Sequence, residues 1–333
     1  MAGRTCLIVG VMLLAAAAPA LATPDSCAEE LALLEARERF LKSRVQKQAV
    51  LLNRLQLLSR PQTPHKGQTP AQGDPAAGDP PHRDCADVFT SGSNSSGLYR
   101  LRPRGSPAPV QAYCDMSDGG GWTVVQRRFN GSELFNRSWT EYKNGFGDKS
   151  GAGELWFGNE NLHYLTDQGN YSVRIILGDF EGSQSYAEYN NFRVGPEQAA
   201  FRLRTNALLQ SDYRLSFGAY SGTAGDALSG NYQVGVSGWA SHQGAKFSTY
   251  DRDNDNYAKG KCAQEDKGGW WFNRCHSAHL NGLYYPSGPY SAVTDDGVVW
   301  VTWRGWWYSL KTTVMKLRPA DFKEDPLYDL NYV

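Results

Sequence analysis

No apolar run in this chain reaches the roughly 20 residues that a helix needs to cross a bilayer. The longest, Cys6 to Ala18, falls short, so no membrane span is expected. An excess of one charge is lacking too: 34 basic residues balance 34 acidic ones, and no global field would draw the chain to nucleic acid or an anionic membrane. The signatures of common enzyme classes are also missing. There is no HExxH, no GxSxG, no GxxxxGK[ST] and no GxGxxG between strand and helix. Nor does any carboxylate spacing single out the acid and nucleophile of a glycosidase. These absences leave a binding protein, with no catalytic residue expected.

What is present divides the chain into segments. Residues 1–22 carry Arg4, the apolar run and Ala20-Leu21-Ala22. That order reads as a secretory signal peptide with its small-x-small cleavage site, so the expected location is extracellular. Removing the leader takes Cys6 away and leaves five of six cysteines, an odd number that implies one free or intermolecular thiol. Residues 27–58 place Leu31, Leu34, Leu41, Val45, Leu52 and Leu55 at alternating spacings of three and four, interrupted by Glu38 and Gln48. This is the seam of a short coiled coil, and in its register Cys27 takes a d position facing a partner helix. Homo-oligomerisation with an interchain Cys27 disulfide is therefore expected.

Residues 60–83 are rich in Pro, Gly, Gln and Asp, a disordered linker with too little apolar surface to fold. From there the composition turns to glycine, aromatics and short apolar runs, which marks a globular domain over 84–319. Strand patterns fall at Trp122 to Arg128, Tyr171 to Leu177, Phe201 to Arg204, Tyr213 to Gly218, Val298 to Trp303 and Val314 to Pro319. A helical pattern falls near Glu154 to Leu165. The expected class is α+β with a twisted antiparallel sheet. Asn94, Asn130, Asn136 and Asn170 open N-x-[ST] glycosylation acceptors. Residues 320–333 form an acidic tail expected to be mobile.

The densest chemistry lies between Tyr250 and Tyr285. Asp251, Asp253 and Asp255 alternate there, which suits a calcium loop or a solvated acidic loop equally well. It is no EF-hand, because the glycine slot holds Asn256 and the glutamate slot Cys262. Four cysteines inside the domain allow three pairings, nearest neighbours being the simplest. Oxidation would remove the thiolates that a zinc site at Cys262, Cys275, His276 and His279 needs. Gly268-Gly269-Trp270-Trp271 reads as a rigid wall from which polar groups project.

The stretches CDMSDGGGWTVVQRR (Cys114 to Arg128), NGFGD (Asn144 to Asp148), ELWFGNENLHYLT (Glu154 to Thr166), YSGTAGDALSG (Tyr220 to Gly230), GGWWFNRCHSAHLNGLYY (Gly268 to Tyr285) and WYSLKTTVMKLRP (Trp307 to Pro319) resemble the fibrinogen-related C-terminal domain. The resemblance implies disulfides Cys85–Cys114 and Cys262–Cys275, and a cis peptide between Arg274 and Cys275. It also implies structural calcium held by Asp253, Asp255 and main-chain oxygens of Tyr257 and Gly260. Ala258 and Lys259 stand before Gly260 where the fibrinogen gamma-chain pattern has one residue, which implies weak binding. Glu265, Asp266, His276 and Asp295 match positions at which fibrinogen captures a cationic amino terminus, and so form the expected ligand pocket. Acetyl-binding relatives have aromatics where this chain has Asp266 and Thr294, so poor binding of acetylated sugars is expected.

The order of leader, coiled coil, linker and single domain resembles that of secreted receptor ligands. It implies a cell-surface receptor as partner, in particular a hepatocyte mitogen's role and that of an inhibitory ligand of the T-cell lymphocyte activation gene 3 protein. The alternative is a calcium-dependent pattern-recognition lectin of the ficolin type, although the ficolin collagen repeat is missing. On non-reducing gels the wild-type protein is expected to run as a disulfide-linked oligomer and Cys27→Ser as a monomer. A wild-type monomer with and without reductant would remove the interchain bridge.

Overall fold

The last strand of the domain lies in the middle of its sheet. A computed structural model describes residues 82–198 and 211–323, all within one unit spanning Pro75–Val333. The leader, the coiled coil with Cys27, the linker up to residue 81, the strand expected at Phe201 to Arg204 and the tail after Lys323 lie outside the described residues.

WTVVQRR forms β3 (Trp122–Arg128), preceded by α1 (Cys85–Thr90), β1 (Gly97–Leu101) and β2 (Val110–Asp115). After it come α2 (Trp139–Asn144), the short pair β4 (Phe146–Gly147) and β5 (Leu155–Trp156), and α3 (Asn159–Asp167). Next are β6 (Tyr171–Gly178), β7 (Gln184–Tyr189), β8 (Arg193–Val194), β9 (Leu215–Ser216) and β10 (Tyr220–Gly222). Two one-turn helices follow, α4 (Ser237–Ala240) and α5 (Cys262–Glu265), then β11 (Ala278–His279), β12 (Val299–Trp300), α6 (Val301–Arg304) and β13 (Thr312–Pro319). The main sheet runs β1-β2-β3-β13-β6-β7-β10, with β5 and β4 attached to β3. Its pairings are antiparallel throughout.

β6 shows why sequence alternation finds such strands. Tyr171, Val173, Ile175 and Leu177 are buried and the residues between the first four are half-exposed, as a period of two requires. β3 and β13 sit centrally and are covered on both faces, so their polar residues need partners. Lys316, 1% exposed, places its Nζ 2.8 Å from both Asp115 and Asp118 and lies over the Trp122 ring. Arg128 donates to the carbonyls of Gly282 (2.7 Å) and Leu280 (3.3 Å), and Gln126 Nε2 donates to Leu280 O at 2.9 Å. These bonds fasten the loop-rich half, residues 211–310, to the sheet.

Glu154 completes that fastening. It is fully buried, lies 3.5 Å from Arg128 Nε and accepts from the amides of Phe129, Asn130, Gly131 and Glu133. Burial would raise its pKa, but the Arg128 charge and those amides outweigh burial and hold it low. Removing one member of such a pair typically costs about 3–5 kcal/mol.

Three local expectations change. The helix near Glu154 to Leu165 begins at Asn159, because Leu155 and Trp156 are taken into the β-ladder against Gln126 and Arg127. Val298 to Trp303 is not one strand: only Val299 and Trp300 have a partner strand. Beyond them the backbone satisfies its polar groups by turning into α6, closed by Gly305 at φ 78°. The expected strand at Tyr213 to Gly218 keeps only Leu215–Ser216. The domain also extends past both expected boundaries. His82 O accepts from Arg102 N, Ala320 N donates to Asn170 O, and Phe322 packs edge-on against Phe89.

Candidate functional site

Asp266 closes the single turn of α5, its N–H donating to Cys262 O. A disulfide joins Cys262 to Cys275, next to His276, so the turn and the His276 segment are held side by side. A second disulfide joins Cys85 to Cys114, and the Arg274–Cys275 peptide is cis. Between Asp266 and Cys275 the chain passes through Gly268 and Gly269. A Cβ on Gly268 would collide with the Asn281 carbonyl, and one on Gly269 would lie 2.5 Å from the Tyr142 ring. Trp270, Trp271 and Phe272 are fully buried. The block that reads as a pocket wall is therefore core, one layer behind the pocket.

Thr294 Oγ1 donates to Glu265 O at 2.9 Å, which brings the following residue, Asp295, over the same spot. Glu265, Asp266, His276 and Asp295 thus meet in one cavity of about 440 Å³. Its other walls are Trp239, Tyr257, Trp306 and Trp307, with Arg274 at the edge. Trp239 and Trp306 are stacked, centroids 5.9 Å apart. The three tryptophans were not legible as pocket residues. The only signal was a second Gly-Trp-Trp at Gly305 to Trp307, echoing the one at Gly269.

His276 Nε2 lies 3.4 Å from Asp266 Oδ2 and 3.5 Å from Asp295 Oδ2. These are charge contacts rather than formed hydrogen bonds: among the described residues, neither Asp266 Oδ2 nor either ring nitrogen of His276 has a hydrogen-bond partner. Asp266 and His276 are 2% and 1% exposed. Burial alone would lower the imidazole pKa, but Asp266 and then Asp295 outweigh it and hold His276 above its ordinary value. Its buried neighbours go the other way. His242 shares Nδ1 with Trp271 O at 2.7 Å, while its Nε2 accepts from the amides of Ser277 and Ala278; burial holds it down at about 3. Burial, then the His276 charge, push His279 well below the usual range.

The acidic loop adjoins this cavity. Asp251 is drawn away from it, accepting from Trp139 N and Thr249 Oγ1. Asp255 stays: its two oxygens accept from Tyr257 N and Cys262 N, each at 2.8 Å. Asp253 Oδ1 accepts from Asp255 N at 3.2 Å. Burial and the Asp253 charge push the Asp255 carboxyl up to about 6 against its two amide bonds. Tyr257 lines the cavity, and a Cβ on Gly260 would collide with Glu265. Of the glycosylation acceptors, Asn94, Asn130 and Asn170 are exposed and Asn136 is half-buried.

Residues 81–320 match the family described as fibrinogen beta and gamma chains, C-terminal globular domain. The chain belongs to that family. Fibrinogen-like protein 1 of Bos taurus is 52% identical to it over 299 residues, covering 90% of this chain and 91% of the relative. The fibrinogen-like globe domain of human ANGPTL2 is 41% identical, with a TM-score of 0.63 over 72% of this chain and 99% of that one. A lamprey fibrin D-dimer, solved with the peptide ligand Gly-His-Arg-Pro-amide, is 36% identical with a TM-score of 0.68, covering 90% of each chain. Fibrinogen-like proteins are ligand-binding proteins rather than enzymes. No helix among the described residues is long and apolar enough to cross a membrane.

The fibrinogen-like domain should lose stability in acid. An unfolded histidine protonates below about 6.5, whereas folded His242 stays neutral down to about 3. Between those values the unfolded state binds the extra proton, so stability is present at neutral pH and falls as pH drops, by a few kcal/mol on the order-of-magnitude scale. His242→Gln keeps a donor for Trp271 O and an acceptor for the two amides. It is expected to flatten the fall of thermal midpoint between pH 7 and pH 4, and an unchanged slope would refute the assignment.

Proposed function

We propose that this chain is a secreted, oligomeric ligand of a cell-surface receptor, and that its pocket takes a cationic amino group. The observation that carries the pocket reading is the convergence of one carboxylate oxygen each from Asp266 and Asp295 and a ring nitrogen of His276 within 4.8 Å of one another. The two carboxylates at one cavity suit the N–H donors of an ammonium group, with His276 a third acceptor when its imidazole is neutral. The tryptophan walls add the aromatic faces that cations favour. An acetamido group would instead need an apolar notch, and the floor here is buried carboxylate. The lamprey fibrin complex, whose peptide ligand carries a basic side chain, supports the same chemistry.

The secreted state and glycosylation at the four acceptors rest on the leader pattern and on the fibrinogen-like relatives. The finer role, a hepatocyte mitogen and ligand of lymphocyte activation gene 3 protein, rests on overall resemblance rather than on a pocket residue. Asp253 and Asp255, with main-chain oxygens of Tyr257 and Gly260, would hold calcium as a structural brace. Burial, and then the neighbouring Asp253 charge, raise the Asp255 pKa, a cost that a hard cation beside the carboxylate would relieve. The ion would supply charge neutralisation beside the α5 turn, steadying Cys262 and Glu265.

Gly-His-Arg-Pro-amide is expected to quench pocket tryptophan fluorescence on binding, and its N-acetylated form to bind at least about tenfold more weakly. Asp266→Asn should cost a similar factor. Equal binding of both peptides, or competition by N-acetylglucosamine, would overturn the amino-group reading in favour of the lectin. Millimolar calcium should raise the thermal midpoint by a few degrees over chelator. Asp255→Asn should abolish that difference, and an equal midpoint in the wild type would leave a solvated acidic loop.

A further inference from the structure

Around a tetrahedral metal with ligands at about 2.0–2.1 Å, the donor atoms lie roughly 3.3–3.4 Å apart. The structure places His276 Nε2 at 3.4 and 3.5 Å from the two carboxylate oxygens. We infer that Asp266, His276 and Asp295 form a site for a zinc-class divalent cation, one imidazole nitrogen and two carboxylate oxygens with a fourth position open to the cavity.

Two independent features point to a ligand here. The donor atoms of Asp266 and His276 are almost fully buried, belong to residues that line the cavity, and have no hydrogen-bond partner among the described residues. All three donors also lie within 4.8 Å of one another without rearrangement. The identity of the donors selects the ion. An imidazole nitrogen suits zinc, copper, nickel or iron and is a poor ligand for calcium, which prefers an all-oxygen shell. This set differs from the Cys262, Cys275, His276 and His279 combination, whose thiols are consumed in a disulfide.

The surroundings also set how tight the site is. His276 Nδ1 has no hydrogen-bond partner, so the ring is held by packing against Phe272, His279 and Trp306. Metal-bound histidines are normally anchored through the second nitrogen, and loss of that anchor costs about 10–100-fold in affinity. The site therefore binds reversibly rather than as a permanent structural centre. Zinc and an amino group would compete for the same atoms, so zinc would switch off peptide capture; this consequence alone rests on the amino-group reading.

The test is calorimetric titration of the full chain with zinc chloride in millimolar calcium, added to saturate the proposed calcium loop, and with Cys27→Ser as background so that Cys27 offers no thiolate. One zinc site should be present and should weaken at least tenfold in Asp295→Asn and in His276→Asn. Cobalt should give the strong visible absorption of four-coordinate Co²⁺ in the background protein and lose it in both variants. Asp295 is half-exposed, so Asp295→Asn decides the matter if His276→Asn does not fold. Equal zinc uptake with and without Asp295→Asn overturns the site. Peptide binding is measured separately without zinc: its failure beside intact zinc uptake sinks only the amino-group reading, and the reverse outcome sinks only the metal site.

Discussion

The bond between Cys262 and Cys275 is the constraint on which the functional half of this domain depends. That half has few long strands, so its backbone cannot be positioned by a ladder. A covalent link between a one-turn helix and the His276 segment does it instead. Within the loop so closed, Gly268 and Gly269 run against Asn281 and Tyr142 too closely for any side chain. The tryptophans that follow are forced inward, where Trp271 meets Phe247 and Trp156 at centroid distances of 5.3 and 6.0 Å. Such aromatic pairs contribute about 0.5–1.5 kcal/mol each beyond area burial. The bridge and the aromatic core thus fix one another.

That core would drift relative to the sheet without the polar contacts made by β3. Gln126 and Arg128 project from the same face of the strand and take the carbonyls of Leu280 and Gly282, just beyond His279. Glu154 neutralises Arg128 and gathers the amides of the turn after β3. A fully buried ion pair is weak evidence for net stability. Its value here is register: it specifies which residues of the loop half lie against which residues of the sheet. The pocket sits on the far side of that registered segment and inherits its precision.

Long periodic strands were legible in the sequence, and so were residues whose chemistry is scarce. β6 shows itself through alternation because one of its faces is buried; β3 and β13, covered on both faces, show as short runs rich in strand-forming residues. The α6 turn does not, because Val298 to Trp303 is apolar but for Thr302 and composition cannot say where the partner strand stops. Asp266, His276 and Asp295 were named from resemblance, yet their meeting depends on the Thr294 to Glu265 contact and the disulfide, neither of which has a sequence period. Trp239, Trp306 and Trp307 were missed because a tryptophan in a glycine-rich chain is ordinarily core, as Trp270 and Trp271 are. Only the fold separates the two sets.

Three buried histidines lie near one another, and why only one is available to a ligand follows from where the backbone points. His242 has both nitrogens committed, one to Trp271 O and the other to two amides. His279 shares Nε2 with the carbonyl of Asp266. The same residue that occupies His279 through its main chain turns its carboxylate toward His276. Asp266 therefore assigns the roles: it anchors one imidazole as structure and leaves the next, which lines the cavity, with nitrogens that no backbone group takes. A buried histidine with no backbone partner is costly to keep, and the two carboxylates beside it add to that cost unless a cation, whether proton, ammonium or metal, stands among them. The pocket is thus organised around a positive charge.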